Sequence, residues 1–369
     1  MIVKSLFSIV AATLLAFGSC SSSEDDASSG ASAAALNPGD GQIVFSSGLV
    51  KAIPDGLEEI NYNYVKQATP EGDKILSVTL PSSVKVIFNG TFEGASLLEN
   101  ITIPEGVTLI GENAFASCES LKTIVIPGTV ARIERGAFRF CKSLETATLG
   151  EGIQFIGDLA FSRCDSLKTI AIPGSVKEID MYAFSECPAL ESVSFGEGVS
   201  KIGASAFAEC AKLERVELPA SISNIAYGAF SDCASLSEFA VCDSNPKYKS
   251  AQGMLLNRED NTLWAVPGSR KTVIIPGGVA KIGQSAFSGC RILESVNIPE
   301  SVTDIEMHAF RNCESLTSVT IPSKVEKIGY AAFADCPNLK YAKLLDRYTS
   351  TSGAFDNCHP DFKLDRPKN

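Results

Sequence analysis

Residues 121–144 read LKTIVIPGTVARIERGAFRFCKSL, and the first part of this stretch has the pattern of a short β-strand. Leu121, Ile124 and Ile126 follow an L-x-x-L-x-L spacing, in which the last three positions alternate between inward-facing and outward-facing residues. A Pro-Gly pair comes next and predicts a turn. The stretch therefore begins with a strand that has one buried face and that ends at the turn.

The second half of the stretch supplies two further apolar groups. Val130 and Ile133 form an apolar pair after the turn. Ala137, Phe138 and Cys141 stand at positions i, i+1 and i+4, which is the spacing of one helical turn that faces inward. We therefore expect each unit to wind once around an apolar interior and to include a helical turn.

This unit recurs along the chain with a period of 23 residues, marked by an Ala-Phe pair and a cysteine. The cysteines are Cys118, Cys141, Cys164, Cys187, Cys210, Cys233, Cys290, Cys313, Cys336 and Cys358. The phenylalanines in phase with them are Phe115, Phe138, Phe161, Phe184, Phe207, Phe230, Phe287, Phe310, Phe333 and Phe355, and Phe92 precedes them. Repetition at this period predicts a solenoid, whose coils bury their apolar sides against one another.

The regularly spaced cysteines allow three interpretations. Disulfides between adjacent coils are geometrically possible in an exported protein, because neighbouring strands lie about 4.8 Å apart. Metal binding is disfavoured, because the chain has no C-x-x-C pair and no histidine that repeats with the cysteines. We expect buried free thiols, which act as small hydrophobic groups and as weak donors to turn carbonyls.

Composition narrows the function. The chain of 369 residues has a formal net charge of −11, which argues against a nucleic-acid partner. Hydrophobic residues make up 45% and charged residues 20%, which excludes a disordered chain and an integral membrane protein. Two histidines leave few ways to build a catalytic triad or an imidazole metal site. We expect no catalytic residues, no metal and no cofactor.

The first twenty residues predict export. Lys4 precedes an apolar run from Leu6 to Phe17 that is too short to span a bilayer, and Gly18, Ser19 and Cys20 follow it. This order resembles a bacterial lipobox, in which residues 1–19 are removed and Cys20 is lipidated. An ordinary secretory signal with an incidental cysteine is the alternative. We favour the lipobox, which predicts a protein of the cell envelope, an outer-membrane lipoprotein exposed at the surface.

The repeat is interrupted once and flanked by irregular ends. The step from Cys233 to Cys290 is 57 residues instead of 23, which leaves about 34 residues for an insert with the pattern of a β-hairpin. Polar residues around Glu259 form the predicted turn of that hairpin. We assign a signal peptide (1–19), the lipidated cysteine and a flexible tether (20–41), an N-terminal cap (42–75), the solenoid (76–364, with the insert at about 240–270) and a tail (365–369).

The succession L-x-x-I-x-I-P, V-x-x-I and A-F-x-x-C over about residues 74–360 resembles the BspA-type leucine-rich repeats of bacterial surface proteins. The resemblance implies an α/β-type repeat solenoid that is mostly β, a right-handed superhelix with a parallel sheet on its concave face. It also implies a surface lipoprotein or a secreted protein, and some members of the family bind host matrix proteins or other cells. Only scaffold positions carry over to this chain, because the shared motif is structural.

Function is expected on the outward side chains of the strands and on the insert. The candidate ligand-facing residues are Thr123, Thr146, Thr169, Ser192, Arg215, Trp264 and Tyr341. They predict a non-enzymatic binding protein for a host matrix protein or another cell-surface protein, with membrane contact only through the lipid anchor. Packing of the insert onto the solenoid is the alternative role of Trp264.

Two other functions stay open, each with a condition. A glycan-binding component of a nutrient-acquisition system requires the rings of Trp264, Tyr248 or Tyr341 to cluster on one exposed surface. An enzyme requires His308 or His359 to line a pocket together with a serine, a cysteine or a carboxylate.

Overall fold

The computed structural model describes residues 41–345 and 350–367. The predicted signal peptide, the lipidated Cys20, almost all of the tether and the last two residues of the predicted tail lie outside the described residues. Within the described part of the chain, no helix is both long and apolar enough to cross a membrane.

Short strands follow one another along the first two thirds of the chain, with one helix near its beginning. They are β1 (Gly41–Phe45), β2 (Val50–Ile53), β3 (Glu59–Ile60), the helix α1 (Tyr62–Ala68), β4 (Ile75–Thr79), β5 (Val86–Ile87), β6 (Asn100–Thr102), β7 (Leu109–Ile110), β8 (Thr123–Ile126), β9 (Arg132–Ile133), β10 (Thr146–Leu149), β11 (Phe155–Ile156), β12 (Thr169–Ile172), β13 (Glu178–Ile179), β14 (Ser192–Phe195), β15 (Lys201–Ile202), β16 (Arg215–Leu218), β17 (Asn224–Ile225) and β18 (Glu238–Val241).

The same alternation resumes after the insert. The remaining strands are β19 (Tyr248–Ala251), β20 (Met254–Asn257), β21 (Thr262–Ala265), β22 (Thr272–Ile274), β23 (Lys281–Ile282), β24 (Ser295–Asn297), β25 (Asp304–Ile305), β26 (Ser318–Ile321), β27 (Lys327–Ile328), β28 (Tyr341–Leu344) and β29 (Lys363–Asp365).

Two sets of parallel strands run along the stack of coils. What we call the long-strand sheet is a row of hydrogen-bonded groups: β4 with β6, then β8, β10, β12, β14, β16 and β18, and after the insert β22 with β24 and β26 with β28 and β29. The short-strand sheet consists of the two-residue strands β3, β5, β7, β9, β11, β13, β15 and β17, and a second group joins β21 of the insert to β23, β25 and β27. Pairing keeps the 23-residue step, so that Thr123 lies opposite Thr146. The predicted parallel solenoid is confirmed.

The core is a column of identical side chains. The rings from Phe92 to Phe230 stack on one another with centroids 5.1–5.4 Å apart and nearly parallel planes. A second column runs from Phe287 to Phe355, and Phe362 stacks on its end. Each coil on its own would leave its ring in water, so burial depends on the neighbouring coils.

The segment that carries the Ala-Phe pair is not the predicted helical turn. It is a pair of tight turns, which we call the outer turn, and each outer turn contains two residues with positive φ four positions apart, such as Gly136 and Phe140. Eleven coils share this geometry. Adjacent outer turns are joined by backbone hydrogen bonds, for example from Phe115 N–H to the Ala137 carbonyl at 2.8 Å. An α-helical turn would direct these groups along its own axis and leave them unavailable to the next coil.

The cysteines are free thiols, as predicted. Those at positions 118–336 of the repeat are buried, and Cys358 is half-buried. Nine of these thiols donate to the phenylalanine carbonyl of the preceding coil, as Cys141 does to Phe115 at 3.2 Å, and Cys290, after the insert, donates to the Val266 carbonyl instead. Burial raises the pKa of Cys141, Cys233 and Cys290 to about 12, so these thiols stay protonated at neutral pH.

The N-terminal region combines a β-hairpin with the beginning of the stack. Strands β1 and β2 pair in antiparallel fashion, and β1 also pairs with β4, the first strand of the long-strand sheet. Strand β3 already pairs in parallel with β5. The helix α1, which the sequence analysis did not predict, begins after Asn61, whose side chain accepts a hydrogen bond from Tyr64 N–H.

The insert has three strands instead of the predicted two. Strand β20 pairs in antiparallel fashion with both β19 and β21, and the predicted polar turn around Glu259 connects β20 to β21. All four residues of β20 are buried. Leu255 packs into the core that precedes the insert, whereas Met254 and Leu256 pack into the core that follows it. A two-stranded hairpin would not separate two cores in this way, because one strand must be covered on both faces.

At the C-terminal end, the solenoid extends one residue further than predicted. Asp365 belongs to β29, which pairs in parallel with β28. The predicted tail therefore begins after this residue.

The stacked rings predict a large difference between buried and outward positions. Phe184 has no exposed surface and lies 5.2 Å from the rings of both neighbouring coils, so we expect Phe184→Ala to lower the free energy of unfolding by about 3–5 kcal/mol. Thr169→Ala, on the exposed face of β12, should change it by less than about 0.5 kcal/mol. Denaturant unfolding followed by circular dichroism measures both values. Equal losses would contradict the assignment of the two faces.

The thiols give a second prediction. Cys242 is exposed, so iodoacetamide at pH 8 should alkylate it rapidly in the folded chain, and the buried thiols of the repeat only after unfolding. Mass spectrometry of the peptides identifies the modified positions. Cys242→Ser is the control that should remove the rapid reaction. Rapid alkylation of Cys164 or Cys187, or thiols that react only after reduction, would contradict the buried free state.

Candidate functional site

The outward face of the long-strand sheet carries a column of small hydroxyl side chains. Thr123, Thr146, Thr169 and Ser192 occupy the first position of successive strands, lie opposite one another in the parallel pairing and are exposed. Arg215 continues the column in the next strand. These predicted ligand-facing residues are therefore brought together on one surface, which is five strands wide.

Charged side chains beside this column pair with one another. Lys168 Nζ lies 3.2 Å from a carboxylate oxygen of Glu145. The Arg215 guanidinium lies within 3.1 Å of carboxylate oxygens of Glu217 and Glu238. All of these groups are largely exposed, so the pairs contribute little to stability and leave the surface polar without a strong net field.

The same face exposes apolar side chains that the sequence analysis did not single out as ligand-facing. Val125 in β8 is 61% exposed and Ile274 in β22 is 66% exposed. The sequence marks these two positions by an apolar residue at an outward strand position, where several other coils carry Thr, Ser or Asn. Single exposed apolar residues are common, but on a broad polar surface they are the groups that gain most from being covered.

Tyr341 lies on this sheet near its C-terminal end. Its ring is 39% exposed, and its hydroxyl donates a hydrogen bond to an Asp365 carboxylate oxygen at 2.8 Å. This hydrogen bond raises the pKa of Tyr341. The residue is separated from the hydroxyl column by the insert and the strands that follow it.

Trp264 is part of the contact between the insert and the preceding coil. Its indole N–H donates to the Ile225 carbonyl at 3.0 Å, and its ring stacks on Tyr227 with centroids 4.4 Å apart. Tyr248 is buried, and its hydroxyl accepts a hydrogen bond from Ile225 N–H at 2.9 Å. Trp264, Tyr248 and Tyr341 thus do not form a cluster on one exposed surface.

A groove lies among the outer turns on either side of the insert, because the insert itself contributes no outer turn. Strand β21 is followed by Val266 and a Pro-Gly pair, and Val266 N–H bonds to the Ala286 carbonyl where a phenylalanine bonds in a regular coil. The outer turns on either side therefore meet directly. Asp232 N–H donates to the Ser288 carbonyl at 3.3 Å, and the Arg291 guanidinium bonds to the Asp232 carboxylate at 2.8 Å.

The groove has a volume of about 420 Å³ and crosses five outer turns. The first positive-φ position of these turns carries Tyr182, Ser205, Gly228, Ser285 and His308 in order. Small residues therefore form its floor and two rings stand at its ends. We refer to this feature as the outer-turn groove.

Carboxylates and one further ring line the outer-turn groove. Glu186, Glu209 and Asp232 occupy the second positive-φ position of three successive turns, and Tyr227 lines the groove beside the insert. Partial burial raises the pKa of Glu209, and the charges of Glu186 and Asp232 add to the rise. Burial also raises the pKa of Tyr227.

His308 meets part of the condition set for an enzyme, because it lines the outer-turn groove together with serines and carboxylates. Burial and then the nearby Arg311 charge lower the pKa of His308, so the imidazole is neutral at pH 7. Its side chain makes a ring contact with Tyr330 at 6.4 Å, but no hydrogen bond with a nucleophile or an orienting carboxylate is formed among the described residues. The arrangement lacks the linked geometry of a triad.

His359 lies away from the groove, near the C-terminal end. Its Nδ1 accepts a hydrogen bond from Asp361 N–H at 3.0 Å, which is a local turn contact. In residues 41–345 and 350–367, no three His, Cys, Asp or Glu side chains converge as a metal site would require.

The repeat architecture agrees with a known family of sequences. A family model described as the BspA type leucine-rich repeat region matches residues 64–190, 133–251 and 267–363. The chain belongs to the BspA-type leucine-rich repeat family. The predicted resemblance is therefore confirmed, and the family's repeats account for both the period and the parallel sheets.

Solved structures of two bacterial proteins share this fold. The chain is similar to a leucine-rich cell surface protein from Faecalibacterium prausnitzii, with 26% identity and a TM-score of 0.63 over 80% of this chain and 91% of that one. It is also similar to the pneumococcal vaccine antigen PcpA, with 21% identity and a TM-score of 0.59 over 87% and 83% of the two chains. None of the curated proteins matches the chain.

Proposed function

We propose that this chain is a non-enzymatic surface lipoprotein that binds a protein partner through the long-strand sheet. The observation that carries this proposal is the in-register column of Thr123, Thr146, Thr169 and Ser192, which is exposed over four neighbouring strands. The family is a repeat scaffold suited to protein interaction. The long-strand sheet presents six neighbouring strands, β8 to β18, in one hydrogen-bonded group.

The chemistry of the sheet suits a folded protein better than a small molecule. Hydroxyls and paired charges are spread over many strands, as a broad protein interface requires, and the concavity of about 650 Å³ around Ser194 and Glu217 is one part of this surface. Val125 and Ile274 supply isolated apolar anchors on the same face. Arg215 has charged partners on its own sheet, so it can exchange one of them for a carboxylate of the partner at little cost.

The absence of enzymatic activity is proposed from the two histidines and from the fold. His308 has a lowered pKa but no linked nucleophile, and His359 is held in a local turn. The remaining candidate chemistry would depend on cysteines, and those of the repeat are buried thiols with raised pKa values, such as Cys141 and Cys233. A buried neutral thiol is a poor nucleophile.

Surface location is supported by two observations. The order of a positive charge, an apolar run and a cysteine at position 20 is typical of a lipoprotein signal. The similar protein from Faecalibacterium prausnitzii is described as a cell surface protein. A host matrix protein or another cell-surface protein is therefore the partner class that we favour.

Glycan binding by a cluster of Trp264, Tyr248 and Tyr341 does not agree with the positions of these rings. It needed Trp264, Tyr248 or Tyr341 on one exposed surface, and Tyr248 is buried while Trp264 is engaged by Ile225 and Tyr227. Tyr341 lies on the long-strand sheet, apart from Trp264 and Tyr248 of the insert.

A charge placed in the hydroxyl column tests the proposed surface. Thr169→Arg introduces a long cationic side chain in the middle of the column, at a position equivalent to the one that Arg215 occupies naturally. We expect at least tenfold weaker binding to whichever of laminin, fibronectin, collagen or a partner from an unbiased screen the parent chain binds. Solid-phase binding with purified chain measures this loss.

The matched control is Asn224→Arg on the short-strand sheet. Asn224 is exposed and lies in the column that already contains Arg132 and Lys201, so the fold accepts a cation there. This variant should bind as the parent does. The proposal fails if the two variants bind alike, or if neither the panel nor the screen yields a partner.

The anchor gives a separate prediction. Cys20→Ala should move the chain from the membrane fraction to the soluble envelope fraction, because the acyl chains are its proposed link to the membrane. Fractionation followed by immunoblotting measures the change. Protease treatment of intact cells should digest the parent chain, and protection of the chain from protease would contradict exposure at the surface.

A further inference from the structure

The outer-turn groove has features that neither the sheet nor the family motif explains. Its volume of about 420 Å³ falls in the range of small-ligand sites, and its lining combines rings, hydroxyls, carboxylates and a guanidinium. The concavity beside the regular outer turns at Phe140, Arg163 and Glu186, with a volume of about 360 Å³, does not cross the insert. The outer-turn groove arises because the insert contributes a strand to the short-strand sheet but no outer turn, which brings the turns at Gly228 and Ser285 together.

The rings are placed at the ends of the groove and the small residues between them. Tyr182 and His308 occupy the same position of the outer turn as Ser205, Gly228 and Ser285. Tyr182 is 44% exposed, and His308 is half-buried. A ligand lying along the floor would therefore meet an aromatic face at either end. Aromatic faces carry partial negative charge and attract the slightly positive C–H groups of a ring laid against them.

Glu209 is the one lining carboxylate that makes no ion pair among the described residues, and the other charged groups of the groove are already paired within the protein. Glu186 pairs with Arg163, and Asp232 pairs with Arg291 at 2.8 Å. On the other side, Arg311 pairs with Asp335 at 2.8 Å. His308 is uncharged at neutral pH because its pKa is lowered. An anionic ligand would meet the unpaired Glu209 carboxylate and would have to displace the partners of Arg291 or Arg311, whereas a neutral ligand can use the remaining donors and acceptors.

The serine hydroxyls on the floor of the groove and the pairing of most of its charged groups together restrict the class of ligand. An apolar peptide would leave the hydroxyls of Ser205, Ser231 and Ser285 without partners, which is unfavourable. A molecule with many hydroxyls can both donate to the carboxylates and accept from the guanidinium, and its ring faces can stack on Tyr182 or Tyr227. Aromatic rings that can stack on sugar rings, next to carboxylates and a guanidinium that can bond to hydroxyls, are suited to bind a sugar chain.

We propose that the outer-turn groove binds a neutral oligosaccharide, with Tyr182 and His308 as the stacking or flanking rings and Glu209 as a central hydrogen-bond acceptor. Glu209 has neighbouring acidic groups on both sides and makes no ion pair within 4 Å among the described residues. Its oxygens are therefore free to accept hydroxyl donors. This site is independent of the proposed protein-binding surface, which lies on the long-strand sheet.

The test uses the full chain and a set of defined oligosaccharides. Arrayed di- to tetrasaccharides of glucose, galactose, mannose, xylose and N-acetylhexosamines, with sulfated and sialylated counterparts, identify a binding structure, and saturation-transfer NMR gives its dissociation constant. We expect at least one neutral oligosaccharide to bind. Tyr182→Ser and His308→Ser should each weaken it at least fivefold, and the double variant more.

The variants are chosen so that loss of folding is not the cause. Serine already occupies the equivalent positive-φ position at Ser205 and Ser285, so the backbone tolerates it. Asn113→Ser changes the same position of an outer turn outside the groove, and Thr169→Arg changes the long-strand sheet. Both controls should keep saccharide binding within twofold, and circular dichroism should be unchanged in all variants.

Several outcomes would overturn the proposal. They are the absence of any neutral saccharide binding at millimolar concentration, binding restricted to sulfated or sialylated glycans, and unchanged binding by the Tyr182→Ser, His308→Ser double variant. Saccharide binding that is lost in Thr169→Arg but kept in the groove variants would place the site on the long-strand sheet and would also overturn it. Failure of the protein-binding proposal has a different signature, because it leaves saccharide binding untouched.

Discussion

The structure depends on one requirement, which is that each coil can bury its phenylalanine only against the ring of the next coil. The rings of Phe161, Phe184 and Phe207 stack at 5.2 Å, and the backbone of the outer turns is hydrogen-bonded at the same repeat. The thiol of the cysteine in each regular coil serves this arrangement as well. It fills a small apolar space and donates to the phenylalanine carbonyl behind it, a combination that neither alanine nor valine provides. The period of 23 residues is fixed because ring, thiol and turn must repeat together.

At the insert the regular contact between neighbouring coils is interrupted, and other groups take its place. Ile225 ends the regular short-strand sheet, and its N–H and carbonyl would lack partners at the interruption. Tyr248 and Trp264 side chains bond to these two groups, so aromatic side chains replace a strand. On the other sheet, Phe239 N–H donates to the Gly253 carbonyl of the hairpin. Buried backbone groups are almost always paired, and here the insert supplies the pairs that the missing coil would have made.

The sequence predicted the parts of the fold that follow from the repeat. Phe138, Cys141 and Ile133 lie in the core because the period places them there, and the state of the thiols followed from the regular single step. The outer turns could not be predicted, because Leu159 and Phe140 hold positive φ although neither residue type indicates it. A helical turn and this pair of tight turns direct the same residues inward, so the spacing of the apolar residues could not distinguish them. The candidate surface on the long-strand sheet was predicted from alternation, whereas the groove was not, because it depends on which outer turns meet across the insert.

Interruption of the repeat also decides where chemically distinct groups can face one another. In a regular stack every position forms a column of near-equal surroundings, so side chains at one position line up and do not converge. The hydroxyl column of the long-strand sheet shows this, since it is even from Thr123 to Ser192 and changes to Arg215 only as the insert approaches. A broad, even column suits a large partner that contacts many coils weakly. Convergence of unlike groups requires two coils that are not sequence neighbours to touch, as Asp232 and Arg291 do. The insert is therefore more than a spacer, because it creates the one described place where the ends of two coil stacks present different side chains to the same volume.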